Sequence, residues 1–307
     1  ITSSDGYAYN TSDDRTSLVR SDNGTYNFNY DNFSHRLSNI TGINNSLYNT
    51  NYTYDANGNI ITANNITLTY DVKNRLSSSQ STMGNTTYHY NALGQRIRKQ
   101  TTQGSVQETT WFIYDEQGKL ISEQYSYGNN NPVITDYIYM NDKLVGVARD
   151  MGLGYELYHI QTDHIGSPRS ITKQNDGSLV WVWENKEAFG ANLPNENPSG
   201  INNGNGNNLS FKFNIRFMGQ YWDEEKGTSY NYFRDYASGL GRYAQSDPIG
   251  LNAGINTYGY VNSNALNDTD FFGLQSYMCA QAGLGAWCGE PKKPNTIEKW
   301  ITKRNHQ

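Results

Sequence analysis

Apolar and polar positions alternate with a period of two in short runs along the first half of the chain, and each run closes on Tyr-Asp or a near variant. Phe28-Asn29-Tyr30-Asp31 leads to His35-Arg36-Leu37, and Tyr52-Thr53-Tyr54-Asp55 leads through Gly58 to Asn59-Ile60. Leu68-Thr69-Tyr70-Asp71, Tyr88-His89-Tyr90-Asn91, Phe112-Ile113-Tyr114-Asp115 and Tyr137-Ile138-Tyr139 continue the series. The anchors Tyr30, Tyr54, Tyr70, Tyr90, Tyr114 and Tyr139 stand 24, 16, 20, 24 and 25 residues apart, a hairpin period. Alternation puts pairs such as Tyr52 and Tyr54 on one face of a strand. An Asp followed by Gly or Asn is turn chemistry, because the carboxylate bonds nearby amides and Gly supplies positive φ. One hairpin cannot bury its face alone, so successive hairpins must pair edge to edge into a long antiparallel sheet that curls. The fold class expected is all-β.

Composition looks at first like disorder. Without the 25 Tyr and with the 29 Gly, about 37% of the 307 residues are apolar, against roughly 45–50% in ordinary globular chains. Yet aromatics are 13%, charged residues only 17% and the net charge is −5, which is not the profile of a disordered chain. Folding with Tyr in place of Leu requires that each buried hydroxyl find a partner. The scattered Lys and Arg give no footprint for nucleic acid, and no run of 18 apolar residues would span a membrane. Ile1 opens no secretory signal pattern, and the missing Met suggests a fragment of something longer.

The repeat units resemble the YD repeats of the rearrangement-hotspot (Rhs) proteins, the toxin-complex C subunits and the teneurins. Downstream, the run from Tyr158-His159 through Asp163-His164-Ile165-Gly166-Ser167-Pro168-Arg169 resembles the opening of the Rhs core region. Phe217-Met218-Gly219-Gln220-Tyr221-Trp222-Asp223, Tyr230 to Tyr243, Ser246-Asp247-Pro248-Ile249-Gly250-Leu251 and Asp270-Phe271-Phe272-Gly273-Leu274 follow in that family's order. The resemblance covers roughly residues 20 to 274. It implies a strip of hairpins wound into part of a hollow shell that encloses a C-terminal polypeptide, often a toxin, freed by self-cleavage. A complete shell takes more repeats than this chain holds, so a C-terminal part of one is expected.

Three segments follow: YD-repeat hairpins at 1–150, the repeat-associated core with its self-cleavage motif at 151–274, and at 275–307 the start of a variable C-terminal toxin segment, expected to be truncated. Ala191 to Asn208, rich in Asn-Gly with two Pro, reads as a surface loop or disorder. Asn295-Thr296-Ile297-Glu298 reads as a helix start, giving one short helix over Thr296 to Lys303. A 33-residue tail is too short for an independent enzyme domain.

The chemistry centres on two acids. Asp247 and Asp270 each open an Asp-x-x-Gly-Leu turn. The resemblance implies that they act as an aspartyl-protease-like dyad that cuts the chain's own backbone between Leu274 and Gln275, and that Arg234 is needed for cleavage. Two carboxylates held close cannot both ionise, so one keeps a proton while the other serves as a base. A tethered substrate makes a weak catalyst sufficient for one turnover. The opposing reading is that Asp-Pro-x-Gly is an ordinary structural turn. The family's second motif usually reads Asp-Pro-x-Gly-Leu; Phe271 takes the Pro position here, and without that fixed φ a looser scissile segment is expected.

His159, Asp163 and His164 form a cluster of metal-ligand types, read as structural, so neither a metal nor a cofactor is expected. No phosphate loop, Gly-x-Ser-x-Gly elbow or His-Glu-x-x-His is present, and no conventional catalytic domain is visible. Trp181, Trp183 and Trp222 are read as packing rather than as a sugar platform. Cys279 and Cys288 are read equally as a pair or as free thiols. The function expected is an Rhs-type polymorphic toxin fragment, a secreted or delivered bacterial effector whose export route stays open. Its partners would be its own C-terminal toxin segment, an immunity protein and secretion components. The alternative is a non-proteolytic YD-repeat surface or secreted protein for adhesion or carbohydrate binding.

Overall fold

The computed structural model describes residues 5–20, 24–42, 49–200, 210–274 and 277–278. Seventeen strands, from β1 (Gly6–Tyr9) to β17 (Leu179–Val182), form one sheet. Each pairs antiparallel with the next in sequence, so the ribbon is an uninterrupted meander. It runs through residue 150 without a break. The expected alternation is plain in β9 (Gly84–Tyr90), where Thr86 and Tyr88 are buried and Thr87 and His89 are exposed.

The Tyr-Asp turns share one construction. Asp55, Asp71, Asn91, Asp115 and Asp163 each accept, through Oδ1, the amide of the residue four places on, at 2.8–3.0 Å. A short side-chain oxygen does this best, which explains Asp or Asn at the position. The tyrosine ahead of the turn ties one repeat to the one before it. Tyr30, Tyr54, Tyr70, Tyr90, Tyr114 and Tyr139 donate their hydroxyls to the carbonyls of Arg15, Leu37, Ile60, Leu76, Arg96 and Leu120, at 2.8–3.1 Å. Every one of those carbonyls opens a return strand beside a β-bulge. For these six anchors the buried-hydroxyl problem posed by a Tyr-rich composition is solved at a repeating backbone site.

The ribbon curls, and among the described residues its first and last strands do not pair. Its two ends meet through side chains: Tyr7 in β1 donates to Glu187 just past β17 at 2.6 Å, and its ring lies 5.4 Å from that of Phe189. Residues 210–274 pack against this ribbon as an inner block, with a four-stranded sheet of β18 (Tyr221–Asp223), β19 (Thr228–Asn231), β20 (Arg234–Ala237) and β21 (Arg242–Tyr243). A last pair joins β22 (Asp268–Thr269) to β23 (Tyr277–Met278). The block seats on the rim that carries the Tyr-Asp turns. Tyr258 donates to the Gly58 carbonyl at 2.7 Å, Tyr232 to that of Gly118 at 2.6 Å, and Tyr230 accepts the Arg96 amide at 3.0 Å.

Two kinds of core bind block to ribbon. One is aromatic: Trp181, Trp183, Phe213, Phe217, Tyr236, Tyr243 and Tyr260 are all within a single buried cluster. The other is a buried charge network, in which Asp223 receives Arg96 at 2.5 and 3.0 Å and also Lys99 and Lys226, each at 3.0 Å. Of the expected loop Ala191 to Asn208, residues 191–200 are irregular yet pinned by the reciprocal pairing of Asn195 with Val182, and residues 201–208 lie outside the described residues. The expected helix at Thr296–Lys303, Cys279 and Cys288 lie outside the described residues.

Candidate functional site

Arg234, Asp247 and Asp270, far apart in sequence, meet in the inner block. Arg234 opens β20 just after a tight turn through Tyr232, whose φ of 60° is a left-handed conformation costly for a bulky residue. That turn is held by the Tyr232 hydroxyl, which donates to Gly118 and accepts from Gln95 at 3.1 Å. The ring packs on Phe272, with centroids 5.1 Å apart. Arg234 is therefore presented on a fixed support.

Its guanidinium is buried and fully engaged. Nη2 stands 2.7 Å from Asp247 Oδ2 and 3.3 Å from Asp270 Oδ2, so one nitrogen bridges the two carboxyls. Nη1 donates to the Thr257 carbonyl at 3.1 Å and Nε to the Gly273 carbonyl at 2.5 Å. Asp247 Oδ2 makes a close ion pair with the arginine but accepts no well-aligned hydrogen bond, while its Oδ1 takes the Ile249 amide at 2.9 Å. Asp270 Oδ1 accepts the Leu274 amide at 3.1 Å, and Oδ2 accepts the Tyr243 hydroxyl at 2.9 Å. Both acids thus reuse the Asp-turn chemistry of the ribbon, with an arginine placed between them.

Burial pushes the Asp247 carboxyl up to about 6, with Arg234 opposing the rise and Asp270 adding to it. Burial, reinforced by the charge of Asp270, also holds the Tyr243 phenol well above its ordinary value, so it stays a donor. A cavity of about 200 Å³ opens beside the group, lined by Arg234, Asp247 and Asp270 together with residues 11–13, 254–256, 259, 261 and 262. It is polar enough and large enough to admit water.

The expected scissile segment is docked along the Asn231–Arg234 turn. Asn231 Nδ2 donates to the Asp270 carbonyl at 2.8 Å and the Phe233 amide to the Phe272 carbonyl at 3.2 Å. Arg234 and Asp270 then clamp the two sides of the Gly273–Leu274 peptide. Gly273 has φ of +68°, and a Cβ there would sit 2.4 Å from the Asn231 carbonyl oxygen, so glycine is required twice over. Leu274 is buried, whereas Gln275 lies outside the described residues. Phe271, where a Pro was expected, packs 4.8 Å from the Phe272 ring and 6.0 Å from Tyr232, and its carbonyl lies against Gly219.

Other expectations fall elsewhere. Asp163 is a turn residue paired with Arg169 at 2.8 Å, and His159 is exposed on the outer side of the ribbon. Among the described residues no three His, Cys, Asp or Glu side chains converge as metal ligands. Trp181 and Trp183 are core residues, the latter donating to the Asn192 carbonyl at 2.7 Å. Sequence reasoning missed Tyr243 and Asn231. Both lie inside the motif from Tyr230 to Tyr243, but Asn231 ends β19 and Tyr243 ends β21, strands buried at nearly every position, so no alternation marks which side chains face the acids.

A family model for the teneurin YD-shell matches residues 2–265. The chain is 28% identical over 272 residues to double-stranded DNA deaminase toxin A of Burkholderia cenocepacia, covering 80% of this chain and 17% of that protein. It is 37% identical over 100 residues to toxin protein Tse5 of Pseudomonas aeruginosa, covering 33% of this chain and 6% of Tse5. The solved structure of TcdB2-TccC3-Cdc42 aligns with a TM-score of 0.62 at 18% identity, covering 88% of this chain and 15% of that one. The Photorhabdus luminescens Tc holotoxin pore aligns with a TM-score of 0.61 at 16% identity, over 92% of this chain and 16% of its own. The chain spans about a sixth of its first relative's length, and the likeness to the solved structures concerns the fold alone. It belongs to the YD-shell family, as an Rhs-type protein similar to toxin-complex subunits.

Proposed function

We propose that the chain is a shell segment of an Rhs-type polymorphic toxin, which encloses a C-terminal toxin segment and frees it by cutting its own backbone between Leu274 and Gln275. One observation carries the reading. Arg234 bridges both carboxyls and at the same time grips the Gly273 carbonyl, so the acids and the expected scissile segment are held by a single side chain. An arrangement serving only turn geometry has no need of that bridge.

In this reading Asp270 is the base and Asp247 the acid, protonated below about pH 6. A water in the adjoining cavity gives a proton to Asp270 as its oxygen adds to the Leu274 carbonyl carbon. The bond to Gln275 nitrogen then breaks as Asp247 passes its proton to the leaving amine, giving a new carboxyl and a new amine. Burial and the charge of Asp270 favour the proton on Asp247 against the opposing pull of Arg234, and Arg234 fixes the segment. Because substrate and catalyst are one chain, no binding step is needed. The toxin names of the relatives support a delivered bacterial effector, for which an immunity protein and secretion machinery would be partners.

The test is cleavage of the full chain over a long incubation, followed on denaturing gels. Wild type should separate into two pieces, while Asp247→Asn, Asp270→Asn and Arg234→Lys stay whole. A wild type that stays whole, or an Asp247→Asn or Asp270→Asn chain cut at the wild-type rate, overturns the proposal.

A further inference from the structure

We infer that Tyr243 is a positioning residue for this cleavage, holding Asp270 so that one carboxylate oxygen stays on the Leu274 amide while the other faces Arg234. The inference rests on the self-cleavage reading. Tyr243 is fully buried, and its ring is boxed by Tyr236 and Tyr260, with centroids 5.9 and 5.7 Å away. The Arg234 guanidinium lies 3.5 Å over the ring face. One side chain thus supports the arginine by cation–π contact and hydrogen-bonds the acid. The phenol has no room to swing away.

Its hydroxyl lies 2.9 Å from Asp270 Oδ2, nearer than the arginine at 3.3 Å. That bond fixes the rotation of the carboxylate and leaves Oδ1 on the Leu274 amide at 3.1 Å. Without it the carboxylate is free to turn and pair both oxygens with the guanidinium, releasing the amide of the residue ahead of the cut. The bond also bears on acidity. Among the described residues, titratable or charged groups facing Asp270 include Arg234, Asp247, Tyr243 and Tyr260, and Asp13 lines the cavity beyond Asp247. Arg234 is the cation of that set and Tyr243 its neutral donor. A donor to the charged form makes an acid stronger, so its loss moves the proton uptake of Asp270 to higher pH.

The experiment follows the first-order appearance of the C-terminal piece from freshly translated full-length chain between pH 4 and 8. Four chains are compared: wild type, Tyr243→Phe, 3-fluorotyrosine incorporated in place of Tyr243, and Tyr236→Phe. Tyr236 is as buried as Tyr243, but its hydroxyl bonds the Phe189 carbonyl at 2.9 Å instead of an acid. Tyr243→Phe should cut roughly 10- to 100-fold more slowly, the range for losing one fixed donor in a buried site, with the acid limb of the profile moved to higher pH. The fluorinated ring, a stronger donor, should move that limb to lower pH, and Tyr236→Phe should leave it in place. A wild-type rate and profile in Tyr243→Phe, or a loss matched by Tyr236→Phe with no movement of the limb, overturns the inference. Should Tyr243→Phe fail to fold, an unmoved limb in the fluorinated chain overturns it alone. A wild type uncut at every pH is a different result, since it defeats the self-cleavage reading on which the inference stands.

Discussion

The ribbon and the inner block solve the same problem, too little aliphatic side chain, in opposite ways. In the ribbon each strand buries one face, and every anchor tyrosine sends its hydroxyl to a backbone carbonyl beside a bulge. In the block, strands such as β20 are buried at every residue, and polar groups pair with one another: Asp223 with three cations, Arg234 with two acids. Backbone-directed tyrosines are modular in their hydrogen bonding, because each donates to one carbonyl of the repeat before it, while the rings of Tyr54, Tyr90 and Tyr114 lie 6.0–6.2 Å from Tyr258, Tyr230 and Tyr232 of the block. Side-chain networks are coupled, so removing one member leaves the others buried and unmatched. The ribbon is built for extension and the block for a defined local geometry.

The sharpest way to break this comparison is at Asp223. Asp223→Ala takes from buried Arg96 its carboxylate partner, while Lys99 keeps Glu225 at 3.1 Å and Lys226 keeps Asp235 at 2.9 Å, and should cost about 3–5 kcal/mol in urea unfolding. A loss near 1 kcal/mol would mean that the network is no more coupled than a ribbon tyrosine. Next in size is a pH effect at Asp247. Its folded value of about 6 lies above the 3.8 of the free group, so the native state holds the proton more tightly than the unfolded chain. Its contribution to stability is therefore greatest below about pH 4, falls as pH rises to about 6 and is level beyond, by at most about 3 kcal/mol. Asp247→Asn should remove that slope in denaturation curves taken from pH 4 to 7, and a slope retained in the variant would assign it to another group.

Smaller effects belong to the ribbon. Tyr114→Phe deletes one bond to the Arg96 carbonyl and should cost about 1 kcal/mol. Combined with Tyr54→Phe, three repeats away, the losses should add to within a few tenths of a kcal/mol. Strong coupling between them would contradict the modular account. Smallest of all is Ile113→Thr on the outer face of the ribbon, where the side chain is 58% exposed, with an expected change within about 0.5 kcal/mol.

What could be read from the sequence follows the same division. The hairpin strip was legible because alternation and Tyr-Asp turns are local signals, and Tyr54 or Tyr114 announces its strand wherever it sits. The meeting of Arg234, Asp247 and Asp270 was expected only through family resemblance, since spacing along a chain says nothing about approach in space. The clamp on the Gly273–Leu274 peptide and the place of Tyr243 were not legible at all. They depend on a left-handed turn at Tyr232, a conformation that no propensity assigns to tyrosine and that the Gly118 carbonyl holds from the ribbon. The β22–β23 pairing was likewise unforeseen, and it hydrogen-bonds Tyr277–Met278 to Asp268–Thr269 across the expected cut.

The central claim is that the bridged acids act on one particular bond of their own chain. Intact-mass analysis of the incubated full-length protein tests it most directly. The account predicts two masses, those of residues 1–274 and 275–307, replaced by the single full-length mass in Asp270→Asn. A single full-length mass in the wild type, or a cut at any bond other than Leu274–Gln275, would contradict it.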